Sequence, residues 1–220
     1  MTTVIIPWRA QPSRLAAYDA VTAWYREVLP EARILPIDSG DTPFNLARCR
    51  NLGVASVEPD EPIVIADADT FPEEAPLRAA IAAAGDGVTH LPYTEYRWLG
   101  PEGTAQYFAG TALPDCEYTV VHGACSGVYV STPRVWAAHA GQDEGFRGWG
   151  FEDSAWLVAH RMLLGAEPAR HEGRVYALHH LTQLREGEQY EANAARMQRY
   201  RDAAAQGKSA FVTFLEELGD

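Results

Sequence analysis

Residues 61–71, EPIVIADADTF, constrain the fold more than any other part of this 220-residue chain. Residues 63–66 (Ile-Val-Ile-Ala) are apolar without a break and run straight into Asp67-Ala68-Asp69. A short strand with no polar alternation is covered on both faces, as the central strands of parallel sheets are. Side chains two apart on an extended chain point the same way. Asp67 and Asp69 can therefore converge where the strand leaves the sheet, and converging carboxylates need a cation, a hydroxyl or a proton between them. In open α/β sheets that strand end is also where ligands bind. A capped turn is the alternative reading of the same two acids.

The surrounding sequence alternates. Residues 3–6 read as a strand closed by Pro7-Trp8-Arg9. A helix capped by Ser13 runs to Leu29, and a strand over 32–37 ends in Asp38-Ser39-Gly40-Asp41. A helix covers 44–57, another runs from Glu73 through Ala84, and a strand covers 88–91. Such β-α repetition with short connections predicts an α/β fold: a Rossmann-like, mostly parallel central sheet with helices on both faces. Residues 92–115, rich in Gly, Pro and aromatics, read as a long loop, either a functional flap or one stapled to the core by its own rings. Strands are expected over 118–122, 127–131 and 175–178, and a short helix opens at Pro133. A helix starts at Glu152-Asp153 and ends at Gly165, and two last helices cover 188–205, polar and peripheral, and 209–218. The expected division is a single domain, with a nucleotide-binding half over 1–91, an acceptor and catalytic half over 92–187, and C-terminal helices over 188–220.

A net charge of −12 argues against a broad nucleic-acid face. Cys49, Cys116 and Cys125 are too few and too scattered for a disulfide framework or a thiolate metal site. No apolar run approaches the roughly 20 residues that cross a bilayer, and Pro7, Trp8 and Arg9 interrupt the start where a signal peptide would be apolar. The expectation is a soluble, cytoplasmic protein with no membrane partner.

Several residue groups carry chemistry. Asp67 and Asp69 suit Mg²⁺ or Mn²⁺, hard ions that take one or two carboxylates and complete their shell with phosphate oxygens. Asp38, on the same sheet edge, can accept hydrogen bonds from a base or ribose. Arg50, with its bidentate fork, suits a diphosphate or base. Glu152-Asp153 follow Gly148-Trp149-Gly150-Phe151. Acids at a helix start are favourable by about 0.3–1 kcal/mol in themselves. The glycines, however, also let backbone approach a ligand, and Trp149 offers a flat face beside the acids. A carboxylate held there can act as general base on a hydroxyl. His179 and His180 end a strand and point to opposite sides, so one at most reaches the site.

The order of Asp38-Ser39-Gly40, Ala47-Arg48-Cys49-Arg50-Asn51-Leu52-Gly53, Asp67-Ala68-Asp69, Gly127-Val128-Tyr129-Val130, Gly148-Trp149-Gly150-Phe151-Glu152-Asp153 and His180 resembles the GT-A glycosyltransferases. The likeness is to bacterial polymerase-type inverting enzymes and to galactosyltransferase and polypeptide GalNAc-transferase catalytic domains, over residues 3–180. The GWGxED segment after an upstream DxD is its most specific part. The resemblance implies transfer of a sugar from a UDP- or GDP-sugar to a hydroxyl on a glycan, a protein side chain or a modified DNA base, with Mn²⁺ or Mg²⁺ as cofactor. It places Pro7, Trp8, Arg9, Asp38, Arg50, Asp67, Gly127 and Trp149 on the donor. Asp69 and Asp67 hold the metal with His180 as a further ligand, Asp153 is the general base, and Glu152 binds sugar or acceptor. A single base with no second carboxylate as nucleophile implies inversion. The chain departs from the family pattern at Ser126-Gly127, often two glycines, and at Ala140-Gly141-Gln142, often Gly-Gly-Phe. A nucleotidyltransferase and a non-catalytic sugar-binding module are the competing readings. The first needs a glycine- and lysine-rich loop where this chain has residues 7–12, PWRAQP. The second does not need Asp67, Asp69 and Asp153 intact.

Overall fold

The computed structural model describes residues 1–148, 150–181 and 186–219. In chain order the elements are β1 (Thr3–Pro7), α1 (Leu15–Val28), β2 (Arg33–Ile37), α2 (Leu46–Ala55), β3 (Ile63–Ala66), β4 (Thr70–Pro72), α3 (Glu74–Ala83), β5 (His90–Leu91), β6 (Glu95–Trp98) and α4 (Gly100–Phe108). They continue with β7 (Thr119–Val120), β8 (Val128–Ser131), α5 (Pro133–Ala138), α6 (Glu152–Leu164), β9 (Ala169–Arg170), β10 (Arg174–Ala177), α7 (Glu188–Ala205) and α8 (Lys208–Gly219).

The main sheet runs β2-β1-β3-β8-β5-β9. β1 pairs parallel with β2 and β3, and β5 parallel with β9, while β8 alone runs against its neighbours. The unbroken apolar runs of β1, β3 and β8 are buried along their whole length, as the sequence of β3 requires. The chain steps one way from β1 to β2 and back past β1 to β3. Right-handed crossovers therefore put α1 and α2 on opposite faces. Gly53 lets α2 lie on β1: a Cβ there would sit 2.3 Å from Ile5 Cγ2. The Arg-Asn-Leu-Gly segment is thus part of a helix packed on the sheet.

A second sheet, β4-β10-β6-β7, begins directly after Asp69. β10 pairs with β4 in the register Ala177↔Thr70, which carries the chain after Ala177 back to the acid pair. A separate apolar cluster of Phe146, Ala155, Ala159, Met197, Tyr200, Ala203, Phe211 and Phe214 joins α6, α7 and α8.

Four expectations are corrected. Residues 92–115 are not a loop: they contain β6, α4 and a 3-10 turn at Leu113–Asp115. Gly100, Pro101 and Gly103 read as turn residues, yet Gly103 is there because a Cβ would overlap the Glu117 carbonyl at 1.9 Å. Ser13 caps nothing, because Pro12–Arg14 form a 3-10 turn ahead of α1. Asn45 lies before α2, not in it, and caps it by accepting from the Arg48 N–H at 3.1 Å. Finally α7 is not peripheral, since Asn193, Met197, Tyr200 and Ala203 are buried.

Candidate active site

The carboxyl ends of β1, β2 and β3 lie side by side, in the register Pro7↔Ile37 and Ile5↔Ile65. The residues that follow these ends, Trp8-Arg9, Asp38 and Asp67-Ala68-Asp69, share one edge of the sheet. Gly127, entering β8, holds the acid turn. Its carbonyl accepts from the Asp67 N–H at 2.8 Å and from Thr70 Oγ1 at 3.0 Å. At φ +87°, with Tyr96 Cε2 3.0 Å from where a Cβ would be, this position favours glycine.

Arg50 sits at the centre. Its side chain is fully buried. Nη2 donates to Asp67 Oδ1 at 2.6 Å, and Nη1 donates to Asp153 Oδ1 at 2.9 Å and Gln142 Oε1 at 2.8 Å. Its carbon lies 5.1 Å from the Tyr129 ring centroid. Burial works against its charge, but the Asp67 and Asp153 carboxylates hold it charged. Arg50 is therefore a shared cation for Asp67 and Asp153, supplied from within the chain. This corrects the sequence reading of Arg50, which is sealed from solvent and spent on protein partners rather than aimed at a diphosphate. Asp67, in turn, is committed to Arg50. Burial and the Asp69 and Asp153 charges push its pKa up, against the pull of Arg50.

Asp69 takes a different partner. Its carbonyl accepts from Leu178 N–H at 2.9 Å, so the segment after β10 runs against it, and its Oδ2 lies 2.8 Å from His180 Nε2. His179 turns away, as alternation requires: its ring meets Trp98 edge-on at 5.9 Å and its N–H donates to Thr104 Oγ1 at 2.7 Å. Burial lowers the His180 pKa, yet the hydrogen bond and charge of Asp69 outweigh it and leave it above the usual value. Arg14 Nη2 lies 3.1 Å from His180 Nδ1, placing a cation beside this pair that the sequence reading missed.

On the β1–β2 side, Trp8 stacks on Tyr18 with centroids 4.0 Å apart. Arg9 is not a free cation. It grips Asp38 through Nε at 2.8 Å and Nη2 at 2.5 Å, and Asp38 also accepts from Gly40 N–H at 2.9 Å. Bonded to Arg9 and Gly40, Asp38 is held below the usual carboxylate range. The two form a surface-facing pair beside Pro7.

Glu152 and Asp153 open α6 after Phe151, whose φ of +76° is unusual for a bulky residue. The turn is braced by α7: the Asn193 amide donates to Arg147 O at 2.7 Å and Gly150 O at 3.3 Å, and the Phe151 ring packs on Tyr190. Trp149 lies outside the described residues. Asp153 faces Arg50, while burial, reinforced by the Asp153 charge and opposed by Arg50, pushes Glu152 up to about 8. The folded protein thus keeps a proton on Glu152 between its ordinary 4.5 and about 8 that the unfolded chain releases. Stability from this group falls as pH rises through that window and levels off above it. Glu152→Gln cannot ionise. Relative to wild type it is expected to gain about 2 kcal/mol, or about 4–8 °C in melting temperature, between pH 5 and pH 8.5. Parallel melting profiles across that range would show Glu152 to be ionised in the fold.

Among the residues the sequence reading passed over, Tyr129, Gln142 and Asn51 are tied directly into this network. Tyr129 was visible only as a member of the Gly127-Val128-Tyr129-Val130 segment, without a role of its own, and Gln142 only as a departure from a motif. Asn51 Oδ1 accepts from Gln142 N–H at 3.1 Å and Trp136 Nε1 at 3.0 Å, and its Nδ2 donates to Gln142 O at 2.8 Å. Among the described residues, no group of three or more His, Cys, Asp and Glu side chains is arranged to hold a metal by itself. No described helix is long and apolar enough to cross a membrane.

No protein-family model and no curated protein matches the chain. Solved structures do. The catalytic domain of Drosophila beta-1,4-galactosyltransferase 7 in complex with xylobiose superposes with a TM-score of 0.51 at 16% identity, over 88% of this chain and 79% of that one. GalNAc-T7 with UDP, GalNAc and Mn²⁺ superposes with a TM-score of 0.56 at 9% identity, over 100% of this chain. A point mutant of the Drosophila enzyme, complexed with manganese, UDP-Gal and xylobiose, matches at 16% identity with a TM-score of 0.44, over 77% of this chain. This chain spans only 63% of that mutant and 55% of GalNAc-T7, less than two-thirds of either. At these identities the likeness is one of fold, and the fold is that of the GT-A glycosyltransferases.

Proposed function

We propose that the protein is a metal-dependent glycosyltransferase that moves a sugar from a nucleotide-diphosphate donor, UDP- or GDP-linked, to a hydroxyl acceptor with inversion. The observation that carries this reading is the meeting, on one sheet edge, of the Asp69–His180 pair and of Asp153, bridged to Asp67 by Arg50. GalNAc-T7, a relative in fold that was solved with UDP, GalNAc and Mn²⁺, supports it.

One carboxylate and one imidazole fit Mg²⁺ or Mn²⁺ that completes its shell with donor phosphate oxygens and water. Asp69 and His180 would hold such an ion, which would stabilise charge on the leaving diphosphate. Arg14, beside His180, adds a cation to that side. Pro7, Trp8 and the Arg9–Asp38 pair offer the nucleotide its surface. Asp153 takes the proton from the acceptor hydroxyl as its oxygen bonds to the anomeric carbon. The bond from that carbon to the phosphate oxygen breaks on the opposite face, and the nucleoside diphosphate leaves. Glu152, protonated near neutral pH, is a hydrogen-bond donor to sugar or acceptor.

Calorimetry with a panel of nucleotide sugars, with and without Mn²⁺, tests the reading. One donor is expected to bind, at least tenfold more tightly with Mn²⁺. Asp69→Asn should abolish that metal-linked gain, and His180→Ala should raise the Mn²⁺ concentration needed for it. NMR of the first-formed product should show the anomeric configuration opposite to the donor's. Metal-independent binding unchanged in both variants would overturn the assignment of the ion, and a retained configuration would overturn the single displacement.

A further inference from the structure

One oxygen of Asp153 receives every hydrogen bond this side chain makes among the described residues. Oδ1 accepts from Arg50 Nη1 at 2.9 Å, from the Tyr129 hydroxyl, and at a longer 3.5 Å from Gln142 Nε2. The carboxylate keeps 23% of its side-chain surface exposed, and Oδ2 has no partner among the described residues. We propose that Tyr129 and Gln142 are positioning residues that, with Arg50, clamp Oδ1 and set the basicity of Asp153, leaving Oδ2 to meet the acceptor hydroxyl. This rests on Asp153 being the base.

The polarity of the clamp follows from its members. A guanidinium only donates, so the Gln142 oxygen at 2.8 Å from Arg50 Nη1 is the acceptor and its NH₂ faces Tyr129 and Asp153. An ionised carboxylate only accepts, so the Tyr129 hydroxyl donates to Asp153. Tyr129 is fully buried, and burial and the Asp153 charge raise its pKa far above 10, so it stays a phenol. The clamp is also built into the fold. Tyr129 comes from β8, paired with Ile65 next to the acid turn, and its ring sits edge-on to Trp136 and Trp156. Gln142 is buried and its backbone is pinned on both sides by Asn51. Gly141, at φ +63°, lets Asn51 approach, because a Cβ there would lie 2.8 Å from Asn51 Oδ1. Three donors on one oxygen hold the free lone pairs of Asp153 in a fixed direction.

The test is Tyr129→Phe, which keeps the packed ring and removes only the hydroxyl, with Gln142→Leu as a second variant. The Asp153 carboxyl is titrated by ¹³C NMR in the protein without substrate, and the acid limb of kcat/KM is measured with the donor found by calorimetry. Tyr129→Phe should raise both by about 1–2 pH units and lower kcat about tenfold or more, with donor affinity unchanged. Gln142→Leu should act in the same direction and less strongly. An unmoved Asp153 pKa and acid limb in folded Tyr129→Phe would overturn the clamp. Should Tyr129→Phe fail to fold, an unmoved pKa in Gln142→Leu would do so. The two ideas fail separately. A shifted NMR pKa with full turnover in Asp153→Asn sustains the clamp and removes the base, whereas an unmoved pKa with inactive Asp153→Asn does the reverse.

Discussion

Asp153→Asn is expected to lose turnover by about 10²–10⁴-fold, the usual worth of a general base, and to bind the donor within about threefold of wild type. The substitution is mild for the fold. An amide oxygen can still accept from Arg50 and Tyr129, whose present partner is Asp153 Oδ1. What disappears is the proton acceptor. A group that acts only on the acceptor lowers kcat and kcat/KM together and leaves the donor's ground-state binding alone. Initial rates and calorimetry on the same preparation check both halves. Glu152, the adjacent acid, is the internal control: its pKa of about 8 makes it a proton donor at neutral pH rather than a ready base. Near-normal turnover in Asp153→Asn with loss of activity in Glu152→Gln would exchange the two roles.

How much of this was legible in the sequence depends on the range of the interactions. β3 and its acid pair could be read because a short, fully apolar run ending in two acids suits a buried strand and little else. The alternation through β5 and the span of α6 from its acidic start to Gly165 were legible for the same local reason. Strand alternation sufficed to say that His179 and His180 face opposite ways, while the preference for His180 came from the family resemblance. Residues 92–115 were misread because Gly100, Pro101 and Gly103 read as turn residues, whereas β6 and α4 are fixed by contacts with β10 and residues 117–121. The clamp on Asp153 was invisible for a stronger reason. Arg50, Tyr129 and Gln142 come from α2, β8 and the loop after α5, and only the folded sheet brings them together. Arg50 was noticed for its charge, but sequence gives no burial, and burial turned it from a ligand contact into an internal counter-ion.

That inversion of role carries the largest effect on stability. Arg50→Met should destabilise the protein by about 3–5 kcal/mol at pH 7.5, the cost of removing one partner from a buried ionic cluster. Methionine fills much of the space but leaves Asp67 and Asp153 facing each other without their shared cation, and Gln142 Oε1 without its donor. The pH dependence identifies the cause. Burial, Asp69 and Asp153 already push Asp67 upward, and Arg50 is the influence that opposes them. Without Arg50 the folded state binds a proton at Asp67 more readily than the unfolded chain does. The variant should therefore recover stability as pH falls toward 5, over a range where a purely steric loss would stay constant. Asp67→Asn added to Arg50→Met should restore part of the loss at pH 7.5 by removing one of the two opposed charges, a coupling that a double-mutant cycle reads directly. Urea unfolding of wild type, Arg50→Met, Asp67→Asn and the double variant at pH 5.5 and 7.5 measures all of these quantities. A loss below about 1 kcal/mol, or one independent of pH, would mean that the carboxylates tolerate each other unaided, with water or a bound cation standing in for the guanidinium.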